Sequence, residues 1–379
     1  MNDSVKKCGI ITYHAAYNFG SVLQAYAIQE WLLKKGYYPT IINYRMKEQK
    51  KVYSIIRKGE GIKGCIKDFL SISSFKYKFE RKRRFEQFIS SKLLLTDEFS
   101  DPLKMNAISN KFDILISGSD QIWNKHSNEL HNVDWKYMNP YLLHNIHKKK
   151  ISYASSVGNM NDKEELKKLC GEIINFRHIS MREKSGAEKI QPLIPNKIKI
   201  VLDPTFLLTK DEWINCLSLK KEKRHKYVLF YSLAGRKTLG KIKGLLNELI
   251  EEGYYIHYIT PYNYGAFIKN KKAVNYLWYG PKDFIEAIYN ADLILTDSYH
   301  GTILSINMGK QVFSINGEYA SDYRKTDVLD NLGILSHSIT WDSHINEMKI
   351  DNIDYLSVGK KLNQLRKFSQ LYLINSIEK

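Results

Sequence analysis

At 379 residues the chain is longer than a single hydrophobic core usually supports, so two domains of ordinary size are the simplest division. Its apolar fraction of 43% is that of a globular protein, no stretch approaches the ~20 uninterrupted apolar residues of a membrane span, and the start Met1-Asn2-Asp3-Ser4-Val5-Lys6-Lys7 lacks a signal-peptide core, so a cytoplasmic location is expected. A formal charge of +18 admits nucleic acid, an anionic membrane or an anionic substrate as partner, while Cys8, Cys65, Cys170 and Cys216, far apart and without a Cys-x-x-Cys pair, argue against a zinc site or a disulfide framework.

Strands and helices alternate from end to end, which predicts an α/β fold with parallel sheets. The first strand spans 8–12, a polar loop covers 13–19, a helix runs over 20–35 and stops at Gly36, and the next strand covers 40–44. A helix over 77–92 precedes a strand at 112–116, which opens onto Ser117-Gly118-Ser119-Asp120-Gln121. Strands are predicted at 151–154, 178–181 and 199–202, with a helix over 163–175. The polar run 220–225 reads as a linker. Beyond it come a strand at 227–231, a helix over 237–252, a strand at 255–259, a helix over 282–290, a strand at 293–295 and one at 311–315. A helix lies between those last two strands, and the final twenty residues are helical.

Positive charge is concentrated between Arg45 and Arg84, where fourteen Lys and Arg face four acids, Glu48, Glu60, Asp68 and Glu80. The segment has neither the glycine and aromatic interleaving of an RNA-binding sheet nor zinc-finger spacing, so nucleic acid is not an expected partner. Peripheral contact with the anionic inner face of a membrane is the alternative weighed against plain compositional bias.

The stretch Asp292-Leu293-Ile294-Leu295-Thr296-Asp297-Ser298-Tyr299-His300-Gly301-Thr302 runs from a buried strand through a polar turn into a helix. Ligands in open α/β sheets bind beyond the carboxyl ends of strands, so His300 is expected in a crevice beside a helix N-terminus, an anion site holding a titratable group. The loop Asn18-Phe19-Gly20-Ser21 is also strand-to-helix but lacks the Gly-x-Gly-x-x-Gly and Gly-Lys-Ser/Thr patterns, and Asn18 and Gly20 equally suit a helix cap. Gly118, Ser119 and Asp120 form a further strand-end loop able to approach a substrate, and Trp123 suits either a sugar ring or the core. Arg182, following a strand, suits a carboxylate or phosphate, or else an ion pair with Glu183. Asp203-Pro204 suits a turn and cap. No His-x-x-x-His pair occurs, so no metal is expected.

Four segments in this order resemble the polysaccharide pyruvyl transferase family: Tyr17 to Tyr26, Ile116 to Asn124, Ser180-Met181-Arg182-Glu183 with Asp203-Pro204, and Ser298-Tyr299-His300-Gly301. The resemblance implies two Rossmann-like domains in a GT-B-like arrangement with an interdomain active-site cleft. The first is expected over 1–219, on the acceptor side, with a basic helical insertion around 45–92. The second is expected over 226–379, on the donor side, its last helix packing back on the first. It further implies transfer of the pyruvyl group of phosphoenolpyruvate, a co-substrate rather than a cofactor, onto a sugar or lipid-linked oligosaccharide as a cyclic ketal.

Carried over by position, the family's histidine falls on His300, its arginine on Arg182, and its N-terminal loop on Asn18 and Gly20. Ser21 stands where many relatives carry an acid, and Ser298 where many carry a cation. Arg324 lies where relatives often place another basic residue. His300 is expected to do acid–base work or hold the phosphate, Arg182 to bind the donor anion, and Asp120 or Asp203 to orient or deprotonate the acceptor hydroxyl. The competing expectations are a GT-B glycosyltransferase using a nucleotide sugar and a non-catalytic sugar- or anion-binding protein.

Overall fold

Short apolar runs punctuated by turn residues become parallel strands buried on both faces. A computed structural model describes residues 5–52, 72–130, 133–222, 225–260, 268, 270–317, 323–348 and 351–379. The chain divides into two compact units, one made of Met1–Ser54, Glu86–Leu208 and Asn363–Lys379, the other of Ile55–Phe85 and Thr209–Leu362. Of the basic segment between Arg45 and Arg84, residues 53–71 lie outside the described residues.

In the first unit β1 (Lys7–Ile11) pairs with β2 (Tyr38–Ile41) on one side and β3 (Ile114–Ser117) on the other, and β3 pairs with β4 (Lys150–Ser152). All are parallel, in the order β2-β1-β3-β4. β5 (Ile179–Met181) and β6 (Ile198–Ile200) pair with each other, and single bridges from Ile151 to His178 and from Ser155 to Met181 carry β4 on to β5. This is the doubly wound order 2-1-3-4-5, whose switch point lies between β1 and β3. The helix Phe19–Lys34 is buried on nearly every side, as its almost continuous apolar sequence requires. Trp123 is fully buried, edge-on to Phe176 at 5.9 Å between ring centroids, with its indole N–H donating to Ser117 Oγ at 3.3 Å; it belongs to the core.

The second unit holds six parallel strands, β7 (Tyr227–Tyr231), β8 (Tyr255–Ile259), β9 (Ala273–Asn275), β10 (Leu293–Thr296), β11 (Gln311–Ile315) and β12 (Ser338–Ile339), in the order β12-β11-β10-β7-β8-β9. Counted from the first strand of the unit this is 6-5-4-1-2-3, the Rossmann order, with its switch point between β7 and β10. The helix expected over 237–252 is broken into Arg236–Leu239 and Lys243–Glu251, with Gly240 in the break and both Leu239 and Ile242 fully buried beside it. Glycine disfavours helix by about 1 kcal/mol, and burial of those two side chains is worth more. The helix Lys210–Leu217, not among the elements expected above, carries a full capping box, Thr209 with Glu212.

Burial in the loop after β1 has a measurable consequence. His14 is 1% exposed, its Nε2 lies 2.9 Å from Asn43 Oδ1, and burial, opposed by the Asn43 contact and reinforced by the Arg45 charge, lowers its pKa to about 4. A depressed histidine contributes stability that is intact above the unfolded pKa near 6.5 and is lost as pH falls toward 4, at roughly 1.4 kcal/mol per unit. Urea unfolding between pH 7 and 4 is expected to show this slope, and His14→Phe to flatten it by up to about 3 kcal/mol over that window.

Candidate active site

Each unit presents polar residues at its own switch point. In the first unit Asn18 Oδ1 accepts from Gly20 N–H at 3.0 Å and caps the helix that follows. Ser21 Oγ donates to Asp120 Oδ2 at 2.6 Å, tying that helix to the loop after β3. The hydroxyl at Ser21 donates where a carboxylate would face Asp120 as a like charge. Thr12 Oγ1 donates to the Ser119 carbonyl at 3.0 Å, and Gln24 Nε2 donates to Thr12 Oγ1 at 2.6 Å. Gly118 has φ +134°, and a Cβ there would lie 2.1 Å from the Tyr153 carbonyl oxygen, so only glycine permits the chain to turn so close to β4. Asp120 follows at φ +72°.

Arg182 leaves the carboxyl end of β5 and is 6% exposed. Its Nη1 donates to Asp203 Oδ2 at 3.0 Å, and its other nitrogens lie 3.6 Å from Asp120 Oδ1 and 3.6 Å from Glu183 Oε2. Asp203 Oδ1 also accepts from Thr205 N–H at 3.0 Å and Thr205 Oγ1 at 2.9 Å, capping the short turn that begins at Pro204. One guanidinium among three carboxylates holds those carboxylates in place, and the mouth of the group is Asp120, the member whose neighbours come from three different strand ends. Glu183 was weighed in the sequence only as an ion-pair partner, and nothing there placed it in a cluster with Asp120 and Asp203.

In the second unit Ser298 caps the helix Tyr299–Asn307, its Oγ accepting from Gly301 N–H at 3.3 Å. His300 lies in the first turn, 7% exposed, with its ring edge-on to Tyr299 at 5.2 Å. Gly301 is dictated by close approach, because a Cβ there would meet Thr296 Oγ1 at 2.5 Å and the Tyr231 ring at 3.1 Å. Asp297 binds the loop after β7, accepting from Leu233 N–H at 2.9 Å and Ser232 Oγ at 3.0 Å, and its pKa is raised by burial against those donors and Lys325. Tyr231 stands beside Ser298, its phenol pushed up to about 12 by burial. An imidazole in the first turn of a helix at a Rossmann switch point can donate to, or exchange a proton with, an anion held on the free N–H groups.

The cation that the sequence offered here was Arg324; the structure brings in two. Arg324 lies over the Tyr299 ring, 5.6 Å from its centroid. Lys325, 3% exposed, donates to the carbonyls of Asp297 at 2.9 Å and Ile315 at 2.7 Å. Lys325→Met is expected to cost about 2–3 kcal/mol, because two buried carbonyls lose their donor, whereas Arg324→Met is expected to cost less than about 0.5 kcal/mol. Urea titration of both variants checks the order, and a larger loss for Arg324→Met would refute the assignment.

The profile of the polysaccharide pyruvyl transferase family matches residues 18–319, from the Asn18 cap past His300. The chain belongs to that family. This polysaccharide pyruvyl transferase family member is accordingly a transferase, and Arg324 lies just beyond the matched span. No protein of curated function matches it in sequence. Among solved structures, a Listeria monocytogenes protein assigned as a UDP-N-acetylglucosamine 2-epimerase superposes with a TM-score of 0.56 at 10% identity, covering 99% of this chain and 96% of that one. The S. aureus MnaA–UDP co-structure gives 0.50 at 12% identity, covering 97% and 90%. The Streptomyces sp. SF2575 glycosyltransferase SsfS6 gives 0.46 at 12% identity, covering 99% and 100%. At such identities the likeness concerns the fold alone, two Rossmann-like α/β units. Among the described residues no group of three His, Cys, Asp or Glu is placed to hold a metal ion, Cys8 and Cys170 are buried thiols, and no helix is long and apolar enough to cross a membrane.

Proposed function

We propose that this family member transfers the pyruvyl group of phosphoenolpyruvate onto two hydroxyls of one sugar, as a cyclic ketal, in the synthesis of a bacterial cell-surface polysaccharide. The observation that carries the reading is the family match over residues 18–319, a span that includes His300. Phosphoenolpyruvate presents a phosphate and a carboxylate, and the capped N-terminus at Ser298, the His300 imidazole and the nearby Arg324 supply donors and positive charge for them.

In the proposed sequence His300 delivers a proton to the methylene carbon of the enol, leaving positive charge at the ketal carbon. A sugar hydroxyl attacks that carbon and loses its proton. The carbon–oxygen bond to phosphate breaks, phosphate departs, and the second hydroxyl closes the ring as its proton is released. Asp120, fixed by Ser21 and by the Arg182 and Asp203 pair, is the carboxylate proposed to orient an acceptor hydroxyl. Arg182 acts in this scheme through the carboxylates it holds.

The test incubates purified protein with phosphoenolpyruvate and a panel of sugars, free, nucleotide-linked and lipid-linked. Inorganic phosphate and acid-labile pyruvate on the sugar are then measured. Acceptor-dependent release of both supports the reading. Turnover of a nucleotide sugar without phosphoenolpyruvate consumption would replace it with glycosyl transfer, and binding without turnover would leave a sugar- or anion-binding protein.

A further inference from the structure

A cavity of about 560 Å3 lies in the first unit at the opposite end of β5 from Arg182, bounded by the starts of β5 and β6 and by the helix Tyr355–Glu378. His178, at its wall, precedes Arg182 by four residues of extended chain, about 13 Å, so the cavity is separate from the strand-end cluster around Asp120. Its volume is that of a site for one small molecule.

The lining is of two kinds. Arg177, Lys197 and Lys199 contribute positive charge, and among the described residues none of them has a carboxylate partner. Glu378, an acid at the end of the same helix, is engaged by Lys6 and by the Tyr37 hydroxyl at 2.7 Å. His178 Nε2 is buried without a hydrogen-bond partner. Burial, and then the charges of Arg177, Lys149 and Lys379, lower the His178 pKa. Opposite these groups the helix turns Phe368 and Leu371 into the cavity, 48% and 50% exposed and spaced by three residues on one face.

We propose that this cavity binds one amphiphile with a phosphate monoester head and a single apolar chain. Its head sits against Arg177, His178 and Lys199, and its chain lies along Phe368 and Leu371. A bare anion would leave the apolar wall wet, and a neutral lipid would leave three cations uncompensated. The inference stands on this cavity alone and does not depend on the chemistry at His300.

Calorimetric titration of the full chain with monomeric dodecyl phosphate tests it, with inorganic phosphate and dodecyl maltoside as controls for head and tail. Dodecyl phosphate is expected to bind one to one, at least about ten-fold more tightly than either control. Arg177→Glu, at an exposed position, with Lys199→Glu, at a half-buried one, is expected to weaken it at least about ten-fold, and Leu371→Ser to weaken it while leaving any inorganic phosphate binding unchanged. Equal affinity for inorganic phosphate, equal affinity for dodecyl maltoside, or unchanged binding in the double variant would each overturn the proposal. So would binding confined to phosphatidylglycerol vesicles, which would make the face a bilayer contact. Phosphoenolpyruvate turnover, measured in parallel, reports separately on the catalytic reading.

Discussion

His300→Ala is expected to lower acceptor-dependent phosphate release from phosphoenolpyruvate about 100- to 10,000-fold, the range a positioned general acid supplies. The side chain lies in the first turn of a helix whose cap is made by Ser298 and Gly301, so its removal takes away no capping hydrogen bond. His300→Gln, which keeps much of the volume and can still donate a hydrogen bond to phosphate, separates the two duties of the imidazole. A variant that retains donor affinity but not turnover assigns proton delivery to His300, whereas a proportionate loss of both assigns phosphate binding. Turnover near the parent value in both variants, with thermal unfolding unchanged, would remove His300 from the mechanism.

The second large effect belongs to stability. Arg182→Ala is expected to cost about 3–5 kcal/mol, because it leaves buried carboxylates without their counter-charge. Asp203 lies 3.0 Å from the guanidinium, and Asp120 and Glu183 lie 3.6 Å from it. Asp203 is itself 1% exposed and also accepts from the Thr205 N–H and hydroxyl. Replacing both partners, Arg182→Met with Asp203→Leu, is expected to restore part of that loss, since it removes a buried charge along with its partner. Urea unfolding of the three variants measures it. A loss below about 1 kcal/mol for Arg182→Ala, the scale of an exposed ion pair, would show that the cluster is solvated.

Where local signals were strong the elements were legible. β7 and β8 fall on the residues expected of them, because uninterrupted Val, Ile, Leu and Tyr runs between polar turns admit little else. β2 begins two residues earlier than expected, at Tyr38, since register against β1 and not composition decides where pairing starts. The edge strands β9 and β12 were missed: three and two residues long, they owe their state to a neighbour's free backbone groups. The helix Tyr323–Leu332 was missed too, because of its ten residues only Lys325, Leu329 and Leu332 are buried and the apolar signal is sparse.

The candidate residues divide along the same line. Sequence alone was enough to single out His300, Arg182, Asn18, Gly20, Asp120 and Asp203, because each stands where a strand gives way to a turn or a helix, and such junctions are written in local periodicity. It could not tell which of Arg324 and Lys325 turns inward, since adjacent helical residues differ by 100° and only the packing partner selects the face. Nor could it bring Thr12 to Ser119, or Asp297 to Ser232, contacts that span 107 and 65 residues. Those depend on strand order, 2-1-3-4 in one unit and 6-5-4-1-2-3 in the other, and it is the tertiary structure that places the loops after β1 and β3, and after β7 and β10, at switch points. Local residue pattern determines where each strand ends; the energetics of pairing and burial across the whole unit determine which ends meet.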